Sequence, residues 1–156
     1  MILKQDLEIA MRILGHLKQY IDEIERFNML ERLSVYDKDY ESMKTVDAFV
    51  LNFIKLQDHL GQRVFKGFLN AIGEYKDYMS FIDILDKLEK LNIIASSDEW
   101  LELRKLRNRM THEYLNEVEK IKQEIEIAIS SIPAIENAIT SIINYLKQRD
   151  LYELDI

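Results

Sequence analysis

The residues best suited to chemistry lie in one short segment, Arg107-Asn108-Arg109-Met110-Thr111-His112-Glu113-Tyr114. Arginine can clamp a phosphate and stabilise the negative charge that builds on it in a transition state. Histidine can take a proton from a ribose 2′-hydroxyl or give one to a leaving oxygen, because its pKa lies near neutrality. Arg107 and His112 together therefore suit cleavage of RNA through a 2′,3′-cyclic phosphate. They do not suit cleavage of DNA, which lacks the attacking hydroxyl.

A local basic patch surrounds this pair in a chain whose formal net charge is -7. Such a chain repels nucleic acid on average, so RNA binding would need a patch of this kind. Its members are Arg104, Lys105, Arg107 and Arg109, with His112 just after them. The residues alone leave an alternative open, in which these arginines are a solvated surface cluster without a chemical role. The carboxylates that would offset it are Asp98, Glu99, Glu102 and Glu113.

Helical periodicity limits how Arg107 and His112 can share a substrate. Positions five residues apart on a regular helix point about 140° apart. Asn108 and His112 are four residues apart and would share a face. Arg107 and His112 can therefore meet one substrate only if the backbone breaks near Thr111 or if the site forms across a dimer.

Other kinds of site find little support. The chain has no cysteine, which excludes disulfides, thiolate catalysis and cysteine-based metal sites. No P-loop, dinucleotide-binding, nucleophile-elbow or zinc-protease motif is present. The remaining histidines, His16 and His59, are interpreted as helix-surface or core-edge residues. We predict neither a metal site nor a cofactor.

The elements that position the segment are predicted to be helices. Only four glycines and one proline occur, so sharp turns are few and long helices are favoured. Apolar residues spaced by three and four predict long helices over 3–33, over 41–70 and from Val118 to Leu146. Ser34 to Tyr40 breaks this pattern, and 73–78 is predicted to be a loop.

Two shorter helices complete the prediction. One covers 80–91, with Ile82, Leu85 and Leu88 as its apolar stripe. Ser96-Ser97-Asp98-Glu99 combines a capping hydroxyl with carboxylates in a first turn, and so starts a helix that runs from Trp100 towards Met110. The sequence thus predicts one all-α domain over 1–156, an up-and-down bundle of about five helices. Isoleucine-rich stripes could also seat a second copy, so a homodimer is plausible.

The first residues and the hydropathy of the sequence are used to predict where in the cell the protein is found. The first residues lack the order of a signal peptide. No stretch approaches about 18 uncharged apolar residues, so we expect no membrane span. A cytoplasmic protein is the prediction.

The segment Arg107 to Tyr114 matches R-N-x-x-x-H-x-Y and resembles the signature of HEPN proteins of the HepT type. The wider run from Trp100 to Glu117 also resembles the nucleotidyltransferase substrate-binding branch of that superfamily. The predicted helical order agrees with the family over nearly the whole chain.

The resemblance implies a toxin–antitoxin pair. HepT-like proteins are metal-independent ribonucleases that work as homodimers, with the Arg and His of both protomers lining one cleft. Carried over, Arg107 would bind the scissile phosphate, His112 would be the general acid and base, and Asn108 would orient the reacting group or contact RNA. Arg104 and Arg109 would support RNA binding, with tRNA or mRNA as candidate targets.

The partner implied by the resemblance is a minimal nucleotidyltransferase antitoxin. In the family it neutralises the toxin by adding AMP to the motif's tyrosine, which is Tyr114 here. A bulky anion two residues from His112 would compete for Arg107. A second reading belongs to another class: a non-catalytic helical subunit that serves only as the substrate-binding partner of a nucleotidyltransferase.

Overall fold

The computed structural model describes residues 2–33, 39–112, 118–149 and 151. Every regular element in these ranges is helical, so the all-α prediction is confirmed. The elements in chain order are α1 (Ile2–Arg26), α2 (Met29–Arg32), α3 (Tyr40–His59), a π segment (Leu60–Val64), α4 (Phe65–Ala71), α5 (Phe81–Lys90), α6 (Ser97–His112) and α7 (Val118–Gln148).

The first predicted helix is interrupted. α1 ends at Arg26, and Asn28 adopts a left-handed conformation with φ 50° and ψ 45° before the short α2 begins. Asparagine is among the few residues that tolerate this conformation, because its short polar side chain can bond locally. The prediction of one helix over 3–33 is therefore wrong at its C-terminal end. Most of the break predicted from Ser34 to Tyr40 lies outside the described residues, and Tyr40 already begins α3.

The second long helix runs without interruption from Tyr40 to Ala71, as α3, the π segment and α4. The side chain of Asp39 accepts a hydrogen bond from the backbone N–H of Ser42 at 3.2 Å, which caps α3 and lowers the pKa of Asp39. In the π segment the N–H of Phe65 donates to the carbonyl oxygen of Leu60, five residues earlier. Periodicity predicted the helix over 41–70 but not the wider turn within it.

α5 begins with a reciprocal cap. Ser80 Oγ accepts from the N–H of Asp83 at 3.2 Å, and the Asp83 carboxylate accepts from the N–H of Ser80 at 3.0 Å. The apolar stripe predicted for this helix is partly wrong, because Ile82 is exposed and Ile84 is buried in its place. Buried side chains at Ile84, Leu85 and Leu88 continue from the half-buried Phe81, in the usual order of an amphipathic helix.

α6 starts where its sequence predicts. Ser96 Oγ accepts from the N–H of Glu99 at 3.3 Å, and the helix then extends through His112. α7 continues on both sides of Pro133 and buries one face along its length.

α7 is also the helix in the described ranges whose length and mean hydropathy match those of a membrane-crossing helix. Of its most apolar window, 44% is buried inside the protein. A buried core helix passes the same test, so this one match is weak evidence for a span.

The core is built from aromatic and aliphatic side chains contributed by all these helices. Phe49 and Phe53 stack along α3, with ring centroids 6.0 Å apart. Phe65 meets Trp100 of α6 edge to face at 5.1 Å. Phe68 meets Tyr145 of α7 in the same way at 5.2 Å. The second long helix therefore joins α6 and α7 to the rest of the core.

The cap of α5 gives a stability prediction. Ser80→Ala removes the oxygen that accepts from Asp83 and should lower the free energy of unfolding by about 1 kcal/mol. Urea denaturation followed by circular dichroism measures this change. Ser130→Ala is the matched control, because Ser130 lies inside α7 with an exposed side chain that bonds only the Ile127 carbonyl. Equal stability of the two variants would contradict the role of the cap.

Candidate functional site

Arg107 is held by a carboxylate that comes from the end of α3. Its Nε donates to Asp58 Oδ1 at 3.0 Å, and its Nη2 donates to Asp58 Oδ2 at 2.7 Å. The two parallel bonds form the bidentate geometry that makes arginine–carboxylate pairs strong and directional. The side chains of Arg107 and Asp58 are 25% and 37% exposed, so the pair is only partly screened by water.

A second set of contacts holds the other end of the guanidinium. Arg107 Nη1 lies 3.3 Å from Thr111 Oγ1 and 3.5 Å from Asn108 Oδ1, and it donates to both. The Thr111 hydroxyl in turn donates to the carbonyl oxygen of Arg107 at 3.0 Å. The hydrogen bond to Asp58 raises the pKa of Arg107 above its ordinary value, so the group stays a cation. Arg107 is thus oriented, but its two-donor edge is occupied by Asp58.

The backbone of α6 bears on the two ways in which Arg107 and His112 could share a substrate, a break near Thr111 or a site across a dimer. It stays helical through Thr111 and His112, so a break between Arg107 and His112 is excluded. Positions 107 and 112 remain about 140° apart around one helix. A shared substrate then requires a second copy of the chain. The side chain of His112 and the whole of Tyr114 lie outside the described residues.

The two flanking arginines have different surroundings. Arg109 Nε donates to Glu124 Oε1 at 2.9 Å, and the Glu124 side chain on α7 is only 10% exposed. This pair ties α6 to α7, and an RNA contact by Arg109 stays a prediction. The Arg104 guanidinium lies over the ring of Phe81, with its carbon 4.7 Å from the ring centroid. Arg104 therefore remains near the surface as a cation stacked on an aromatic face.

A cleft of about 380 Å³ opens beside Arg107, and we call it the α3–α6 cleft. The second long helix forms one side and α5 with α6 form the other. Its lining includes Gly61, Lys66, Phe81, Trp100, Arg104 and Arg107. Asp58 is the carboxylate among the lining residues, against three cations. The cleft is therefore locally positive in a chain with an excess of acidic residues.

Sequence reasoning missed Asp58, Lys66 and Phe81. Asp58 directly precedes His59, which is one of the histidines considered in the sequence analysis. In the structure His59 Nε2 donates to the backbone carbonyl of Asp6 at 2.7 Å, in agreement with its interpretation as a core-edge histidine. The one available signal for Asp58 was a carboxylate on a predicted helix, and that signal is too common to single it out.

The described ranges contain no group of three or more His, Asp or Glu side chains placed to hold a metal ion. Comparison of the chain with protein-family models, with characterised proteins and with solved structures finds no match in any of the three.

The Asp58–Arg107 pair gives a prediction for a double-mutant cycle. Asp58→Ala, Arg107→Ala and the double variant should show a coupling of about 1 kcal/mol in urea unfolding, because the pair is bidentate but partly solvated. The matched control is the Glu102–Lys105 pair on the same helix, whose side chains are 69% and 66% exposed. A coupling no larger than that of this control would show that the contact does not fix Arg107.

Proposed function

We propose that this chain is a metal-independent endoribonuclease of the HEPN type that acts as a homodimer. The observation that carries the proposal is the held guanidinium of Arg107 at the start of the R-N-x-x-x-H-x-Y segment, beside a positively charged cleft. An oriented arginine is what recognition of a scissile phosphate requires. The all-helical architecture agrees with this assignment.

The proposed chemistry needs only proton transfers and charge stabilisation. One His112 accepts the 2′-hydroxyl proton as that oxygen attacks phosphorus. The His112 of the second copy, in its protonated form, gives a proton to the departing 5′-oxygen. The products are a 2′,3′-cyclic phosphate and a 5′-hydroxyl end. Arg107 stabilises the charge on the non-bridging oxygens, for which Asp58 must yield at least part of the two-donor edge.

The proposal includes a partner. A minimal nucleotidyltransferase antitoxin transfers AMP from ATP to the Tyr114 hydroxyl with release of pyrophosphate, and the resulting phosphodiester occupies the place that the substrate phosphate needs. Its negative charge also competes for Arg107. Both effects would block RNA cleavage without unfolding the toxin.

One observation favours the second candidate function, a non-catalytic partner subunit of a nucleotidyltransferase. Asp58 already satisfies the edge of Arg107 that would bind a phosphate. An arginine so paired can serve as a structural tie between α3 and α6, with no reaction at the site. Toxicity on expression of the chain alone separates the two candidates, because only a ribonuclease harms the cell in the absence of its partner.

His112 provides the direct test of catalysis. His112→Ala should lower the rate of RNA cleavage by about 10²–10⁴ while the fold stays intact, because a proton-transfer group is lost. Arg107→Lys should also lose RNA cleavage, since the point charge of a lysine does not reproduce the planar two-donor clamp of the guanidinium. His16→Ala, on the exposed surface of α1, is the control. Cleavage of labelled RNA should survive EDTA, and loss with EDTA that magnesium reverses would contradict the metal-free mechanism.

Tyr114 tests the partner. Co-expression with the proposed minimal nucleotidyltransferase partner should add mass in AMP-sized steps, and Tyr114→Phe should abolish the addition because the accepting hydroxyl is gone. Intact-mass spectrometry measures both. Tyr78→Phe is the control, since Tyr78 is 84% exposed and should leave the addition unchanged. Equal addition to the Tyr114→Phe protein would assign the modification elsewhere, and no addition to any protein would remove the AMP switch from the proposal.

A further inference from the structure

We propose that the α3–α6 cleft binds a single nucleotide, with its base against the Phe81 and Arg104 side and its phosphate at Lys66 and Arg104. The inference rests on the proposed function for its biological setting, since it names a unit of the RNA substrate. The side chains that carry the inference are Lys66, Phe81 and Arg104, whereas the proposed proton-transfer group is His112. The two can therefore be tested separately.

The first argument is charge. Within the part of the chain that the structure describes, neither Lys66 nor Arg104 forms an ion pair with a carboxylate. Arg107, the third cation of the cleft, is neutralised by Asp58. Two cations without a carboxylate partner, on one cleft of a chain with net charge -7, favour an anionic ligand.

The second argument is the aromatic side of the cleft. Phe81 is half-buried and carries the guanidinium of Arg104 over its ring at 4.7 Å. Unstacked bases bind to proteins by stacking on aromatic rings and on the planes of arginine side chains. The cavity of about 380 Å³ also falls within the range of about 300–1,000 Å³ that is usual for small-ligand sites. A planar base with one phosphate fits this combination better than an inorganic anion, which needs no aromatic surface.

The third argument is the position of the cleft. Arg107 and Asn108 are among its lining residues, so the cleft adjoins the proposed phosphate-binding arginine. A nucleotide in the cleft would therefore be the neighbour of the scissile phosphate in a single strand. The same chemistry would also accept a free nucleoside monophosphate, and the experiment below separates the two sources.

Gly61 offers a way to close the cleft without removing any charged group. It lies in the π segment and lines the cleft, and a Cβ built on it would meet only Phe81 Cε1, at an ordinary 3.4 Å. Gly61→Met would therefore place a side chain in the cavity. Gly15→Met is the matched control, because Gly15 lies on the exposed surface of α1 with nothing within 4 Å of the added Cβ.

Trp100 supplies the readout. It is the one tryptophan of the sequence, and it lines the cleft. Wild-type protein would be titrated with an uncleavable 2′-O-methyl RNA trinucleotide and, separately, with AMP, while Trp100 emission is recorded. We expect a saturable change in emission. Gly61→Met should weaken the binding at least tenfold and Arg104→Gln about fivefold, while Gly15→Met should bind as wild type. Tighter binding of the trinucleotide identifies an RNA residue as the ligand, and tighter binding of AMP identifies a free nucleotide.

The outcomes also separate this proposal from the proposed function. His112→Ala should lower RNA cleavage by about 10²–10⁴ and keep the Trp100 response, because the side chains proposed to hold the nucleotide, Lys66, Phe81 and Arg104, are unchanged. If wild type cleaves RNA but Gly61→Met binds the trinucleotide and AMP as wild type does, the nucleotide site is overturned and the ribonuclease stands. If no cleavage is found but the response is lost in Gly61→Met, the nucleotide site stands and the ribonuclease fails. Should Gly61→Met not fold, Lys66→Gln, which changes an exposed side chain, tests the same site, and unchanged affinity there would overturn it.

Discussion

The paired hydrogen bonds between Asp58 and Arg107 fix the position of the part of α6 that carries Arg107 and Asn108. They join the end of α3 to the last turns of α6, and Gln57 supports them by donating from Nε2 to the carbonyl oxygen of Leu103 at 3.1 Å. On the buried side, the contact of Phe65 with Trp100 joins the same two parts of the chain. Because α6 is held on both sides, its last turns keep a fixed orientation relative to α3. The cleft between the two helices therefore keeps a defined width.

The same pair imposes an electrostatic condition on any chemistry at this face. A bidentate carboxylate both orients a guanidinium and competes with phosphate for it, since each anion offers two oxygens that can accept both hydrogen bonds from one edge of the guanidinium. Thr111 and Asn108 hold the opposite end of the group, so Arg107 can exchange its anionic partner without losing its orientation. Under the proposed function, the anion that takes the place of Asp58 would be the substrate phosphate or an AMP group attached to Tyr114.

Most of the fold could be predicted from the spacing of apolar residues, because a helix that buries one face carries apolar residues at intervals of three and four positions. The positions of α5, α6 and α7 follow from this rule, with Ser96-Ser97-Asp98-Glu99 as the start of α6, although α6 extends beyond the predicted Met110 to His112. The left-handed Asn28 could not be predicted, since apolar residues resume directly after it and hide the interruption. The position of Arg107 on a helix was predictable, but its partner Asp58 was not. These residues are 49 positions apart, and no local pattern indicates which carboxylate the packing brings opposite.

The π segment between α3 and α4 has a consequence for how the chain tolerates change. A turn closed by a bond over five residues holds one residue more than an α turn. Loss of a single residue within 61–64 would leave Phe65 four residues after Leu60, so its N–H could bond the same carbonyl oxygen in a regular α turn. Phe65 and Phe68 would then stay on the side of the helix on which Phe49 and Phe53 are buried, and would keep their contacts with Trp100 and Tyr145. The wide turn therefore lets the helix hold one additional residue without changing the face that it buries, and it is the place in this helix where a one-residue deletion is best tolerated.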